Sequence, residues 1–125
     1  MADNTDQTVI DPRAAIIAKQ NDAFRAMMLL GGHKTYQGET VTTRAVAAKG
    51  FGFMLNAQIA VAAFNEFNED NDPYGDHSFG VVTVNGERIY WKIDLYDLNL
   101  EYGSEEPENP EKTRRVLTIM LPSDY

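Results

Sequence analysis

An α+β fold, two helices packed on one face of an antiparallel sheet of about four strands, is predicted from three features of the sequence. Two stretches carry apolar residues at helical spacing, an Asn85-Gly86 pair sits between two β-rich runs, and Arg114 to Leu121 supplies a further strand. At 125 residues the chain reads as one domain, which at this length buries roughly 65–70% of its unfolded surface and needs no staples. Residues 1–10 are polar and read as a disordered tail ahead of a single domain over 11–125.

Asp11-Pro12 reads as an N-cap with proline at the first helical position, and Ile16, Ile17, Phe24, Met27 and Met28 recur at helical spacing as far as Leu30. Gly31-Gly32 ends that helix with residues that tolerate positive φ. Gln20 and Asn21 lie beside the apolar stripe, either as its flank at the core boundary or as a polar contact inside a pocket. His33 to Gly38 has the composition of a mobile loop, and Thr40 to Val46 is β-branched enough for a short strand. A second helix is predicted over Gly52 to Phe67, with Leu55, Ile59, Ala62 and Ala63 facing inward.

Asn68 to His77 strings turn formers together before Phe79 to Val84 resumes a β pattern. Asn85-Gly86 then closes a hairpin, because a type I′ turn needs positive φ at both central positions. The return strand alternates, with Ile89, Trp91, Ile93 and Leu95 on one face and Arg88, Tyr90, Lys92, Asp94 and Tyr96 on the other. Gly103 to Pro110 is a polar loop, and the last strand is apolar on both faces from Val116, which suits a central or well-covered position.

Composition excludes several functions. With no cysteine there is no disulfide framework, thiol nucleophile or cysteine-ligated metal. A net charge of -8 argues against direct binding to nucleic acid or anionic lipid. No basic segment leads into an apolar run at the amino terminus, and Phe51 to Phe64, broken by Gly52, Asn56 and Gln58, is well short of the ~20 residues that span a bilayer. A cytoplasmic protein without a membrane segment is the expectation. Charge is uneven, since residues 65–111 carry thirteen acids against Arg88 and Lys92, a charge of -11 that leaves +3 for the remainder.

The hairpin places one constellation that could carry chemistry. Paired positions sum to 171, so Val82 faces Ile89 and, if pairing persists, His77 faces Asp94 with Cβ atoms about 5 Å apart. A carboxylate beside an imidazole orients it and raises its basicity, as a general base requires, and the same pair could equally tie the Asp72-Pro73-Tyr74-Gly75 turn to the sheet. Asp70, Asp72, Asp76, His77 and Asp94 fit no metal template. Read as a calcium loop, Asp70-x-Asp72-x-Tyr74-Gly75 would need a bidentate Glu where Val81 stands. No phosphate loop, nucleophile elbow or zinc-protease motif occurs, and no cofactor or metal is expected. Tyr90, Trp91, Tyr96 and Tyr102 could stack bases, but no basic groove accompanies them. Carboxylates spaced along loops can also imitate DNA phosphates, and Glu66, Glu69, Asp70, Asp72, Asp97, Glu101, Glu105, Glu106 and Glu108 are the candidate contacts for a basic partner.

Asn21-Asp-Ala-Phe-Arg25, Thr43-Arg-Ala-Val46, Ala62-Ala-Phe64, Asp70 to Gly80, Trp91-Lys-Ile-Asp-Leu-Tyr-Asp97 and Arg115 to Leu121 together resemble the family catalogued as domain of unknown function 3768. The resemblance covers about residues 14–125 and departs from the pattern in the longer Met27 to Gln37 stretch. It implies no established activity. It does imply a small bacterial protein of plasmids and integrative elements, found beside anti-restriction and plasmid-maintenance genes, and it places His77, Asp94, Tyr74 and Trp91 inside shared blocks.

Three roles are therefore expected. The first is a non-enzymatic acidic protein of a mobile element, an anti-restriction or anti-CRISPR candidate, that binds a basic surface of a nucleic-acid-processing partner. The second is a small hydrolase using His77 and Asp94. The third is a structural homo-oligomer, which an exposed apolar patch on the second helix would favour.

Overall fold

The computed structural model describes residues 11–125, so the expected tail over 1–10 lies outside the described residues. Helix α1 (Ala14–Ala26) runs into a 3₁₀ turn (Met28–Leu30), strand β1 (Gly38–Thr42), the short helix α2 (Arg44–Ala47) and helix α3 (Phe51–Ala63). Strands β2 (Phe79–Val84), β3 (Glu87–Tyr96) and β4 (Arg114–Met120) follow, with a final 3₁₀ turn at Pro122–Asp124.

Helix α1 starts later than Asp11-Pro12 would place it. Asp11 accepts the Arg13 backbone N–H at 2.8 Å and its side chain pairs with the Arg13 guanidinium at 2.7 Å, forming a turn ahead of the helix. At the other end Gly31 takes φ of 95°, where the apolar pattern stops. The predicted strand over Thr40 to Val46 splits in two. Thr43 still donates its N–H to Ile119 of β4 at 3.0 Å, while its hydroxyl accepts the Val46 N–H and caps α2.

The sheet has the order β1-β4-β3-β2. Strands β2, β3 and β4 are antiparallel as expected, and β1 runs parallel to β4, so the sheet is mixed. The crossover through α2 and α3 is the reason, because it carries the chain across the layer before β2 begins. The hairpin register holds as predicted, with Val82 opposite Ile89 and Asn85 and Gly86 both at positive φ.

One face of the sheet is the core face. Val82, Val84, Ile89, Trp91, Ile93, Leu117 and Ile119 pack there against Phe24 of α1, Val46 of α2 and Phe53, Ala57 and Val61 of α3. Strand β4 is interior, one of the two places that its two-sided apolar composition suits. Gly80 is required by the fully buried Trp91, since a Cβ there would fall 2.5 Å from the indole nitrogen.

The face of α3 differs from the expected one. Phe53, Ala57 and Val61 are buried, whereas Leu55 is 39% and Ile59 47% exposed. The helix also ends at Ala63 and not at Phe67. It is apolar nearly all round, so spacing alone does not select a side, and the positions that meet the sheet are those in phase with Phe53.

Candidate functional site

Helix α1 directs polar side chains inward, against the usual amphipathic pattern. Gln20, Asn21 and Arg25 are all buried, which makes the first two internal contacts and not a core-boundary flank. The Asn21 amide oxygen accepts from Arg115 Nε at 2.8 Å, and Gln20 Oε1 accepts from Arg115 Nη2 at 2.7 Å. Their amide nitrogens donate outward to loop carbonyls, Gln20 to Glu108 and Asn21 to Asp76, both at 2.9 Å. Two adjacent residues thus fasten the 72–78 loop and the 104–113 loop to one buried arginine.

No carboxylate lies within ion-pair distance of Arg115 among the described residues. Burial therefore brings its guanidinium down to about 10, opposed by the nearby Tyr36, whose ring centroid lies 5.4 Å away. Arg25 is placed differently. Its Nη1 donates to the Val61 and Phe64 carbonyls at 2.9 and 2.8 Å, which closes the carboxy terminus of α3 with a positive charge. Its Cζ lies 4.8 Å from the centroid of the Trp91 ring and its Nη2 pairs with Asp22 at 2.6 Å, while burial lowers its pKa.

Asp22 joins this seam to His77. The His77 ring meets Asp22 at 2.9 Å through Nδ1 and Asp72 at 3.5 Å through Nε2, and stacks on Phe67 at 3.7 Å. The expected His77–Asp94 pair does not form. Strand pairing stops at Phe79, His77 turns to φ of 55°, and its N–H is held by the Asp72 carboxylate at 3.1 Å. Asp94 instead pairs with Lys92 at 2.9 Å on the opposite sheet face from the helices and raises the Lys92 pKa. Asp72 is itself perturbed upward, first by burial, with the His77 N–H and ring opposing. An imidazole between two carboxylates is chemically a base with an orienting partner, yet it lines neither the cleft at Asp97 and Tyr102 nor the one between Phe24 and Thr40.

The acidic candidates separate into two groups. Glu66, Glu69 and Asp70 are exposed on the turn after α3, where Asn68 and Asn71 side chains bond the backbone at 2.7 to 3.0 Å. Asp72, by contrast, is an internal group and not a surface contact. The second group surrounds a cleft of about 270 Å³ lined by Asp97, Tyr102, Gly103, Ser104, Glu105, Glu106 and Lys112. Asp97 Oδ1 accepts the Asn99 and Glu101 N–H groups, both at 3.1 Å, which fixes the loop that carries Glu101 and Tyr102. Glu106 pairs with Lys112 at 3.1 Å and Glu108 lies 3.6 Å from Arg13, whereas Glu101 and Glu105 are exposed with no cation in ion-pair distance among the described residues.

Residue types and spacing single out none of Asp22, Arg25 and Arg115. The available signal was the Gln20-Asn21 pair beside an apolar stripe, since amides there need partners if they turn inward. Among the described residues no group of three or more His, Asp or Glu is arranged to hold a metal, and no helix is long and apolar enough to cross a membrane.

A family profile described as protein of unknown function (DUF3768) matches residues 42–124. The match takes in His77, the acidic loops and β2 to β4, and leaves out α1, which supplies Asp22 and Asn21. No curated protein and no solved structure matches the chain.

Proposed function

We propose that this chain, which belongs to the DUF3768 family, is a non-enzymatic binding protein that engages a basic surface of a nucleic-acid-processing partner through its carboxylates. The observation that carries this reading is the cleft bounded by Asp97, Glu105 and Glu106, whose carboxylates outnumber its one cation, Lys112, with the exposed Tyr102 at its rim. Such a cleft accepts a lysine or arginine side chain, which the carboxylates attract and the tyrosine face contacts. Glu101 and Glu105 keep their charge free for a partner, and the turns that hold them keep the ordering cost of binding low. A role in counter-defence on a mobile element is the finer form of this reading, drawn from the family resemblance.

The test is affinity capture from a cell extract at low salt, comparing the wild type with Glu101→Lys/Glu105→Lys. The expected result is a basic partner recovered by the wild type alone, released by duplex DNA and by raised salt. Equal recovery by both chains, or retention that ignores salt, overturns the reading.

A further inference from the structure

Helix α3 presents a second surface that the acidic cleft does not explain. From Gly50 to Asn65 the chain carries no charged residue, although half of this helix faces outward. Opposite the core line of Phe53, Ala57 and Val61 runs a stripe of Phe51, Leu55 and Ile59, with Phe51 80% exposed. Gly52, Ala62 and Ala63 flank it, with Asn56 and the half-buried Gln58 as the polar groups at its borders. A helix that is apolar all round is ordinarily covered all round.

Two gradients, one along α3 and one in the segments that flank it, bear on what covers it. Bulk falls from Phe51 at the amino end to Ala62 and Ala63 at the carboxy end. Charge changes as well. Arg44 and Lys49 precede the helix, and Glu66, Glu69 and Asp70 follow it. Arg44 is exposed with no carboxylate in ion-pair distance among the described residues, and Lys49 pairs with Glu87 at 2.8 Å. A surface with opposite charges and opposite bulk at its two ends is complementary to itself once turned by a two-fold rotation.

We propose that the covering partner is a second copy of this chain, docked with α3 antiparallel to α3. A two-fold axis near Ala57 sets Phe51 against Ala63, Gly52 against Ala62 and Leu55 against Ile59. The same rotation brings Arg44 of one copy toward Glu69 and Asp70 of the other, and the acidic cleft at residues 97–106 remains available to a different partner. A foreign basic or acidic protein would satisfy only one end of the helix.

Sedimentation of the full chain over a concentration series tests this. The expected result is a species of twice 14.0 kDa whose dissociation constant rises by about 30-fold or more in Ile59→Glu, with unchanged Trp91 fluorescence showing the fold intact. A 14.0 kDa species at every concentration, or a dimer indifferent to Ile59→Glu, overturns the proposal. Orientation is read by oxidation, because the chain has no cysteine of its own. Phe51→Cys and Ala63→Cys chains should cross-link when mixed and not separately, whereas self-linking of Phe51→Cys overturns the antiparallel arrangement. Arg44→Glu should weaken the dimer and Arg44→Glu/Glu69→Arg should restore it, while an unchanged dimer in both variants overturns the charge pairing.

Discussion

Helices α1 and α3 are each 13 residues long and pack on the same sheet, but only α1 admits polar groups to its buried face, beside Ile17, Ala18 and Phe24. Helix α1 buries Gln20, Asn21 and Arg25 and exposes Ile16 at 49%, whereas α3 buries Phe53, Ala57 and Val61 and exposes Phe51, Leu55 and Ile59. The difference teaches that burial follows partners and not residue class alone. Polar groups enter the core where the sheet supplies Arg115 and the α3 terminus supplies open carbonyls, and apolar groups stay outside where one face has already filled the sheet.

The sharpest way to break this comparison is to remove the partner that admits polar groups. Asn21→Leu keeps similar bulk but strips Arg115 Nε of its acceptor and the Asp76 and His77 carbonyls of their donor, leaving the buried cation with Gln20 as its side-chain hydrogen-bond acceptor. The expected loss is about 3–5 kcal/mol in urea unfolding. A loss below about 1 kcal/mol would mean that Arg115 finds solvent in the native state.

Within α3, the inner and outer faces should separate by size of effect. Val61→Ala should cost about 2 kcal/mol, since Val61 is fully buried. Ile59→Ala, measured at concentrations low enough to keep the chain monomeric, should stay within about 0.5 kcal/mol. Equal losses at the two positions would put the sheet-facing side of α3 elsewhere.

A smaller effect sharpens the contrast at the loop that α1 grips. Burial raises the folded pKa of Asp72 above its unfolded value of 3.8, so the folded state holds a proton that the unfolded chain has released. That contribution favours folding at low pH and is lost as pH rises from the unfolded value through the folded one. Asp72→Asn should therefore reduce the dependence of stability on pH in that window, by less than about 1 kcal/mol, while Oδ1 still accepts the His77 N–H. An unchanged urea midpoint-versus-pH curve would remove Asp72 from that titration.

The strand faces, the hairpin and its register were legible because a two-residue period and an Asn-Gly turn are local signals. So were the acidic loops, as charge needs no structure to be counted. The His77–Asp94 pairing was a fair extension of the same register, and it failed two residues beyond the strand. There the Asp72 carboxylate and the Asn21 amide hold the chain at His77 in a left-handed conformation that no strand continues.

By itself the sequence determined the α+β class, the hairpin, the two-sided apolar character of β4 and the charge asymmetry, because each is read from residue types and their local spacing. Only the tertiary structure decided that β1 lies parallel to β4, that α3 turns Leu55 and Ile59 outward, and that His77 meets Asp22 and Asp72. Those outcomes rest on groups far apart in the chain, such as Asn21 and Arg115 at a separation of 94 residues. Such pairs are chosen by which buried polar atoms can satisfy one another once the layers have packed.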